Sequence, residues 1–377
     1  MTTRRTDVAV VGGGIVGIAS AYAAARRGHR VTLFERDERA VGASIRNFGL
    51  IWPVGQAAEV YSRALRGREI WLDLLKRTDA WYAESGSLHL ARHADEQDVL
   101  EEFLATTPAA VENGVRMITS AEVAERSGTA RTDGLRGALW SPTEVNVDPR
   151  QAIPAVTDLL AREFRVEVVY GAAVRGITPP TVSTTAGDWS AERVVVCSGN
   201  EFQTLYPEVY AASGIRRCKL QMLRTVRQPA GWALGPALCA GLTLLHYKSF
   251  AHCASLAPLR ERFAAQLPEH LAQGVHVLVS QTADGQVTIG DSHSYRMTHD
   301  PFEHESVNRA ILDYFATFAV LPRPEIAERW HGVYPSLPDG GVDLVAYPEP
   351  GVTVVNGLGG AGMTLSFGLA EDLLADR

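Results

Sequence analysis

The stretch that most constrains this chain is the apolar run Asp7 to Val11, which leads directly into Gly12-Gly13-Gly14-Ile15-Val16-Gly17. The run reads as a strand and the glycines as a tight turn. Apolar residues at Ile15, Ile18, Ala19 and Tyr22 then recur at helical spacing up to Arg27. A second apolar run, Val31 to Phe34, ends in Glu35. Strand, glycine turn, helix, strand and terminal acid make a βαβ unit of the kind that binds a dinucleotide. Gly12 makes the turn, Gly14 lets the main chain approach a pyrophosphate, and Gly17 lets helix and strand pack closely. The amides of Ile15 and Val16 present the positive end of the helix, and Glu35, followed by Arg36, accepts from ribose hydroxyls. Met1 to Arg5 before an apolar, alanine-rich stretch imitates a leader peptide. Asp7 and three glycines interrupt it, however, and the βαβ continuation explains more.

Beyond Glu35 the segment Gly42-Ala43-Ser44-Ile45-Arg46-Asn47-Phe48-Gly49 is a small-residue turn carrying an arginine and an asparagine. It resembles the segment that D-amino-acid-oxidase-like flavoproteins run alongside their cofactor. The resemblance implies FAD rather than NAD, with Ala43, Ser44, Arg46, Asn47 and Gly49 among the residues that hold it. It also implies the family's α/β fold, a Rossmann-type FAD-binding domain interleaved with an antiparallel-sheet substrate-binding domain.

Composition bounds the rest. A chain of 377 residues with 46% hydrophobic content is long enough for two closely packed domains. Its net charge of -7 and the lack of a basic run argue against a nucleic-acid partner. The long apolar stretch is already used by the βαβ unit, so no membrane association is expected. Cys197, Cys218, Cys239 and Cys253 are scattered without a C-x-x-C pair, which fits neither a zinc site nor a disulfide scaffold. A cytoplasmic protein without a metal is the simplest expectation, and the oligomeric state is left open.

Further along, residues 56 to 84 read as a helix, as do Asp95 to Leu104 and a short segment led by Ser120 and Glu122. Asp148 caps a helix that has Pro149 at its first position. Val166 to Tyr170, Val174 to Ile177 and Arg193 to Cys197 read as strands, the last ending in Ser198-Gly199-Asn200. By resemblance, Val174 clasps adenine through its backbone, and Ser198 and Gly199 close over the adenosine and pyrophosphate. The segments Lys219 to Val226, Leu242 to Tyr247, Gly274 to Val279 and Gln286 to Ile289 read as an antiparallel sheet, with Asp284-Gly285 as a hairpin turn, and Glu303 to Ala319 reads as a helix. The expected division is residues 1–80, 140–205 and 325–377 for FAD and 81–139 and 206–324 for substrate.

Two late motifs complete the pattern. Trp330-His331-Gly332-Val333-Tyr334-Pro335, followed by Pro338-Asp339, resembles the family's segment beside the flavin. Where sarcosine oxidases have a cysteine bonded to flavin, this chain has Gly332, so the FAD is expected to be non-covalent. The strand Val352 to Asn356 runs into Gly357-Leu358-Gly359-Gly360-Ala361-Gly362-Met363-Thr364 and a closing helix. Its start favours negative charge on the cofactor. Met363-Thr364 resembles D-amino acid oxidases, whose threonine donates to a flavin carbonyl.

The resemblance implies oxidation of a C–N bond of a small amine, with oxygen as the acceptor and peroxide formed. Two departures bear on this. Sarcosine-oxidase-type enzymes use a lysine for oxygen where this chain has Thr288, which sets Lys248 as a substitute against the alternative of a dehydrogenase. D-amino acid and glycine oxidases grip the substrate carboxylate with an arginine where this chain has Tyr334. The segment Arg46 to Gln56, with Trp52-Pro53, looks like a subgroup linked to breakdown of 2-aminoethylphosphonate. The expected substrate is thus an anionic amine, an aminophosphonate before a small amino acid or secondary amine. Arg46, Lys248 and Tyr334 are the expected catalytic residues, and His246, Tyr247, Trp52 and Gln56 the expected substrate contacts. His246 and Lys248 would share one face of a strand. His293 and His331 are read as structural. A flavin-holding protein without turnover is the rival from a different class.

Overall fold

The computed structural model describes residues 4–338 and 340–375. Asp339 of the late motif and Met1 to Thr3 of the leader-like start lie outside them. The first sheet has a parallel centre in the order Val352–Asn356, Gly187–Val196, Arg4–Val11, Val31–Phe34, Glu167–Val169. Its strands are near-continuous apolar runs because both faces are covered. The helices Ile15–Arg26, Tyr61–Leu75, Pro149–Glu163 and Gly362–Ala375 pack on one face. The antiparallel strands Val174–Thr178 and Thr181–Thr184, with the helix Pro207–Ser213, cover the other. Parallel strands end on the same edge, and here that edge collects Gly12, Glu35, Cys197 and Asn356.

The second sheet runs Ser294–Arg296, Arg216–Thr225, Val287–Gly290, Leu278–Gln281, Ala237–Cys239, Ser87–Ala91, Gly137–Ser141, Arg116–Ile118. It is antiparallel except where Ala237–Cys239 pairs in parallel with Ser87–Ala91. The long strand Ile326–Ser336 lies along Arg216–Thr225, with Tyr334 opposite Cys218 and Gly332 opposite Leu220. A division at residue 325 therefore assigns to the nucleotide half a strand that is hydrogen-bonded into the second sheet. A small third sheet, Leu50–Ile51, Val145–Val147 and Tyr82–Ala83, shares its side chains between two cores, Leu50 in one and Ile51, Val145 and Val147 in the other.

Three elements differ from the sequence reading. The helix expected over 56–84 is confined to Tyr61–Leu75. Short 3-10 turns at Pro53–Gly55 and Ala58–Val60 precede it, and after Leu75 the Thr78 hydroxyl turns the chain toward the strand Tyr82–Ala83. The strand expected at Leu242 to Tyr247 is instead the 3-10 helix Gly241–Leu245: an apolar run without alternation fits either form, and here Leu242 and Leu244 pack into the core from a helical turn. His246 and Lys248 therefore do not share a strand face. In Gly274 to Val279 the regular ladder starts only at Leu278, although His276 and Asp291 still exchange main-chain hydrogen bonds of 3.1 and 2.7 Å.

Candidate active site

A cleft of about 910 Å³ opens along the carboxyl edge of the parallel strands, at the upper end of the range for ligand pockets, roughly 300–1,000 Å³. Gly12, Gly14, Ile15, Val16, Glu35, Arg36, Ala43, Ser44, Arg46, Asn47, Val174, Ser198, Gly199, Gly359, Gly360, Gly362 and Met363 line it. Gly12 has φ +104°, and a Cβ there would stand 2.3 Å from the Cys197 carbonyl oxygen. A Cβ on Gly17 would stand 1.8 Å from the Gly12 oxygen, so this glycine serves helix packing and is not at the cleft. Gly49 is not at the cleft either. Its φ of +71° and close approach to Val147 serve the turn, whose amide donates to Asn47 Oδ1 at 2.7 Å.

The cleft suits an extended dinucleotide. The helices Ile15–Arg26 and Gly362–Ala375 both begin at it, and neither has an acid in its first turn to offset its positive end. Gly14 caps the first helix without a side-chain bond, and Cβ atoms on Gly199 or Gly359 would meet only open space. The Glu35 carboxylate accepts from the Gly13 amide at 2.8 Å and the Asp37 amide at 3.0 Å, which fixes it at the strand tip with lone pairs to spare. Ser44 Oγ accepts from the Ile15 amide at 2.9 Å, and Asn47 braces its own turn through Ala43 and Ser44.

A second chamber of about 500 Å³ adjoins the cleft, sharing Ala43, Arg46, Asn47, Tyr334, Leu358, Gly359, Gly360 and Met363 with it. Trp52, Gln56, His246, Tyr247, Lys248, Gly332 and Thr364 line it, so the residues singled out from distant parts of the sequence meet in one space. Trp52 stacks on Tyr247 with ring centroids 6.0 Å apart, and Gln56 donates to the Trp52 carbonyl at 3.0 Å. Thr364 Oγ1 accepts from the Trp52 amide at 2.8 Å, which leaves its own proton to donate. The Lys248 ammonium donates to the carbonyls of Gly340 and Gly341 at 2.8 and 2.7 Å. Thr288 is buried in the sheet and lines neither space.

The chamber holds residues that the sequence reading passed over or set aside. Arg216, His276, Asp291, His293 and Tyr295 all line it. His293, read as structural, faces the chamber, whereas His331 pairs with Glu303 at 3.1 Å. His276 and Asp291 gave no local signal, because they meet only through sheet pairing. Behind Trp52 sits His89, 1% exposed, with no partner for either ring nitrogen among the described residues.

The sequence pattern of the DAO family, described as FAD dependent oxidoreductase, matches residues 7–377. The chain belongs to the DAO family of FAD-dependent oxidoreductases. Among curated proteins, this DAO-family chain is similar to the glycine oxidase of Geobacillus kaustophilus, 28% identical over 216 residues, which are 52% of this chain and 55% of that protein. The match thus spans about half the length of that relative. The crystal structure of glycine oxidase from Geobacillus kaustophilus superposes with a TM-score of 0.77 at 23% identity, covering 99% of this chain and 94% of the other. L-proline dehydrogenase from P. horikoshii gives 0.78 at 20% identity, covering 99% and 93%. These two likenesses establish the shared fold. No helix among the described residues is long and apolar enough to cross a membrane.

Two expected results follow from the burial of single groups in this flavoprotein. Burial pushes the Cys197 and Cys218 thiols up to about 12 and Cys253 to about 11, and raises Cys239 as well, so none is a ready nucleophile toward flavin. Acid precipitation should therefore leave the yellow colour in the supernatant, and flavin retained in the pellet would contradict a non-covalent cofactor. Burial also lowers His89 to about 3 from an ordinary 6.5. The unfolded chain binds this proton first, so the contribution of His89 is full above pH 6.5 and is lost as pH falls toward 3. At pH 5 the loss is about 2 kcal/mol. His89→Phe should shift the acid-unfolding midpoint, followed by circular dichroism, to lower pH. An unchanged midpoint would show that His89 does not limit acid stability.

Proposed function

We propose that this protein oxidises the C–N bond of a small anionic amine, with 2-aminoethylphosphonate and its N-methyl derivative preferred over amino acids, and with oxygen as the final acceptor. One observation carries the reading: the charge balance of the chamber. Arg46, Arg216 and Lys248 line it, and among the described lining residues the sole acid is Asp291. Burial raises the Asp291 carboxyl well above its ordinary range, and even ionised it would be outnumbered by the three cations. The chamber is thus cationic on balance and selects an anion.

FAD, when bound, supplies the two-electron acceptor for the oxidation. The chain's own residues hold the substrate. Trp52 and Tyr247 form an apolar, stacked wall that excludes water. Arg46 lines both the cleft and the chamber, which is where a group serving cofactor and substrate together would have to stand. Tyr334, where family amino acid oxidases place an arginine, gives one hydroxyl in place of a planar fork. Cations spread around the space suit a tetrahedral head group better than a flat carboxylate. Lys248 is the cation available near the chamber mouth for oxygen chemistry, since Thr288 is enclosed elsewhere.

Anaerobic flavin reduction by N-methyl-2-aminoethylphosphonate, 2-aminoethylphosphonate, sarcosine, glycine and D-alanine, measured side by side, tests this. The phosphonates are expected to reduce the flavin fastest. Faster reduction by sarcosine, glycine or D-alanine would overturn the phosphonate preference, and a yellow protein that none of them bleaches would favour a binding module without turnover.

A further inference from the structure

One wall of the chamber is built from three histidines whose number exceeds what amine oxidation needs. His246 follows the 3-10 helix Gly241–Leu245 and opens onto the chamber. Its ring centroid lies 3.8 Å from that of His276 and 4.4 Å from that of His293, and the latter two are 5.0 Å apart. One nitrogen from each lies within 4.8 Å of the others. His293 Nδ1 faces the Gly274 carbonyl at 3.0 Å and must donate there, so Nε2 is its remaining polar atom. His276 is 3% exposed, with Nε2 3.2 Å from Asp291 Oδ1, and its Nδ1 has no partner among the described residues. A buried imidazole nitrogen left unpaired at a chamber wall is poised for a ligand.

The arrangement does not suit a first-row metal ion. Zinc needs imidazole lone pairs converging on one point at about 2.0–2.1 Å. His246 and His276 are stacked with centroids 3.8 Å apart and planes 27° apart, so their nitrogen lone pairs lie in two nearly parallel, offset planes and do not readily converge on one point. The oxygens of a tetrahedral anion are spread around a central atom, so donors held in separate ring planes can each find a separate oxygen.

We propose that His246, His276 and His293 seat a tetrahedral oxyanion, which under the anionic-amine reading above is the phosphonate end of the substrate, and that the seat takes up one proton from solvent as the anion enters. A neutral imidazole has one donor and one acceptor. The His293 donor is already used on Gly274, so its Nε2 lone pair repels an oxyanion until a proton converts it to a second donor. Burial keeps the inner part of the empty seat neutral, lowering His293 to about 4 and holding His276 below the ordinary histidine range.

The other groups around the seat do not change charge. Burial raises Tyr247 and Tyr334, and the Cys218 thiol beside Tyr334 is pushed up to about 12, so all three stay protonated. Burial likewise raises the Asp291 carboxyl well above its ordinary range, toward the neutral form. Lys248, Arg46 and Arg216 also line the chamber, attract the anion and oppose a proton in its absence. The histidines are the groups left to titrate, and the anion is what stabilises their charged form.

Sulfate is a suitable probe because it is a tetrahedral dianion whose charge is constant near neutral pH. Titrated calorimetrically into the FAD-loaded protein, it should bind with uptake of about one proton, read from buffers of different ionisation enthalpy. Its affinity should fall by up to about tenfold per unit rise in pH. His246→Asn, at the chamber surface, should weaken sulfate about tenfold or more and flatten the pH dependence. His276→Asn, with folding checked by circular dichroism, should do the same. Sulfate binding that is independent of pH and of His246 would overturn the seat, as would stoichiometric zinc that blocks sulfate. Sulfate uptake with its proton, in a protein that no anionic amine reduces, would keep the seat and remove the amine-oxidation reading. Rapid reduction by 2-aminoethylphosphonate, with sulfate indifferent to His246, would do the reverse.

Discussion

Gly14→Val is expected to yield a folded, colourless protein. A Cβ at Gly14 would lie 3.0 Å from Ser44 Oγ, the atom that accepts from the Ile15 amide, and the further methyls of valine would occupy the cleft where main chain meets pyrophosphate. The cost falls on the ligand more than on the fold, since Ser44 is a short side chain that can rotate away. Its neighbours would not give so clean a test. A Cβ on Gly12 would meet the Cys197 carbonyl oxygen at 2.3 Å and one on Gly17 the Gly12 oxygen at 1.8 Å, so variants there should damage the strand and helix themselves. For Gly14→Val, FAD affinity measured by fluorescence titration of the flavin-free protein should fall by at least about 100-fold, roughly 2.7 kcal/mol. Its circular dichroism should match that of flavin-free wild type. A variant that purifies with a full complement of flavin would remove this turn from cofactor binding.

Arg46→Met should have the second largest effect, on turnover more than on folding. The Arg46 main chain is held in place by the Trp330 indole, which donates to its carbonyl at 3.2 Å. Among the described residues its guanidinium makes only a long 3.4 Å contact with the His331 carbonyl, so most of its five donors are available at the junction of cleft and chamber. Replacing it with methionine keeps the bulk and removes the charge. Charge-assisted hydrogen bonds contribute about 1.5–3 kcal/mol each, so kcat/KM for an anionic amine should fall about 10- to 100-fold. For a neutral amine of similar size the loss should be much smaller. Equal losses on both substrates would place Arg46 in the cofactor's grip alone.

The nucleotide half of the molecule was legible because its chemistry is local. Gly12, Gly14, Gly17 and Glu35 sit within one βαβ unit, and each residue type has a steric or hydrogen-bonding reason to be there. The chamber was legible only in part. Trp52, His246, Tyr247, Lys248 and Tyr334 could be picked out one at a time, but His276 and Asp291 become neighbours only through pairing between strands distant in sequence. The misread segment Leu242 to Tyr247 shows the same limit. An apolar run without alternation fits a strand or a tight helix equally well, and tertiary packing decides between them. His89 carried no sequence signal, because nothing local distinguishes a buried histidine from an exposed one.

The strand Ile326–Ser336 divides the cleft from the chamber, and its alternating faces assign different residues to each. His331, Val333 and Pro335 face the cleft, Gly332 and Ser336 the chamber, and Tyr334 borders both. On the proposed reading of the chamber, cofactor retention and substrate choice would be written in interleaved letters of a single strand. Evolution can revise one set by point substitution while the other stays fixed, so a lineage can change its diet without relearning how to hold flavin. Insertion of one residue would exchange the two sets at once. This strand is accordingly open to drift in composition and closed to change in length.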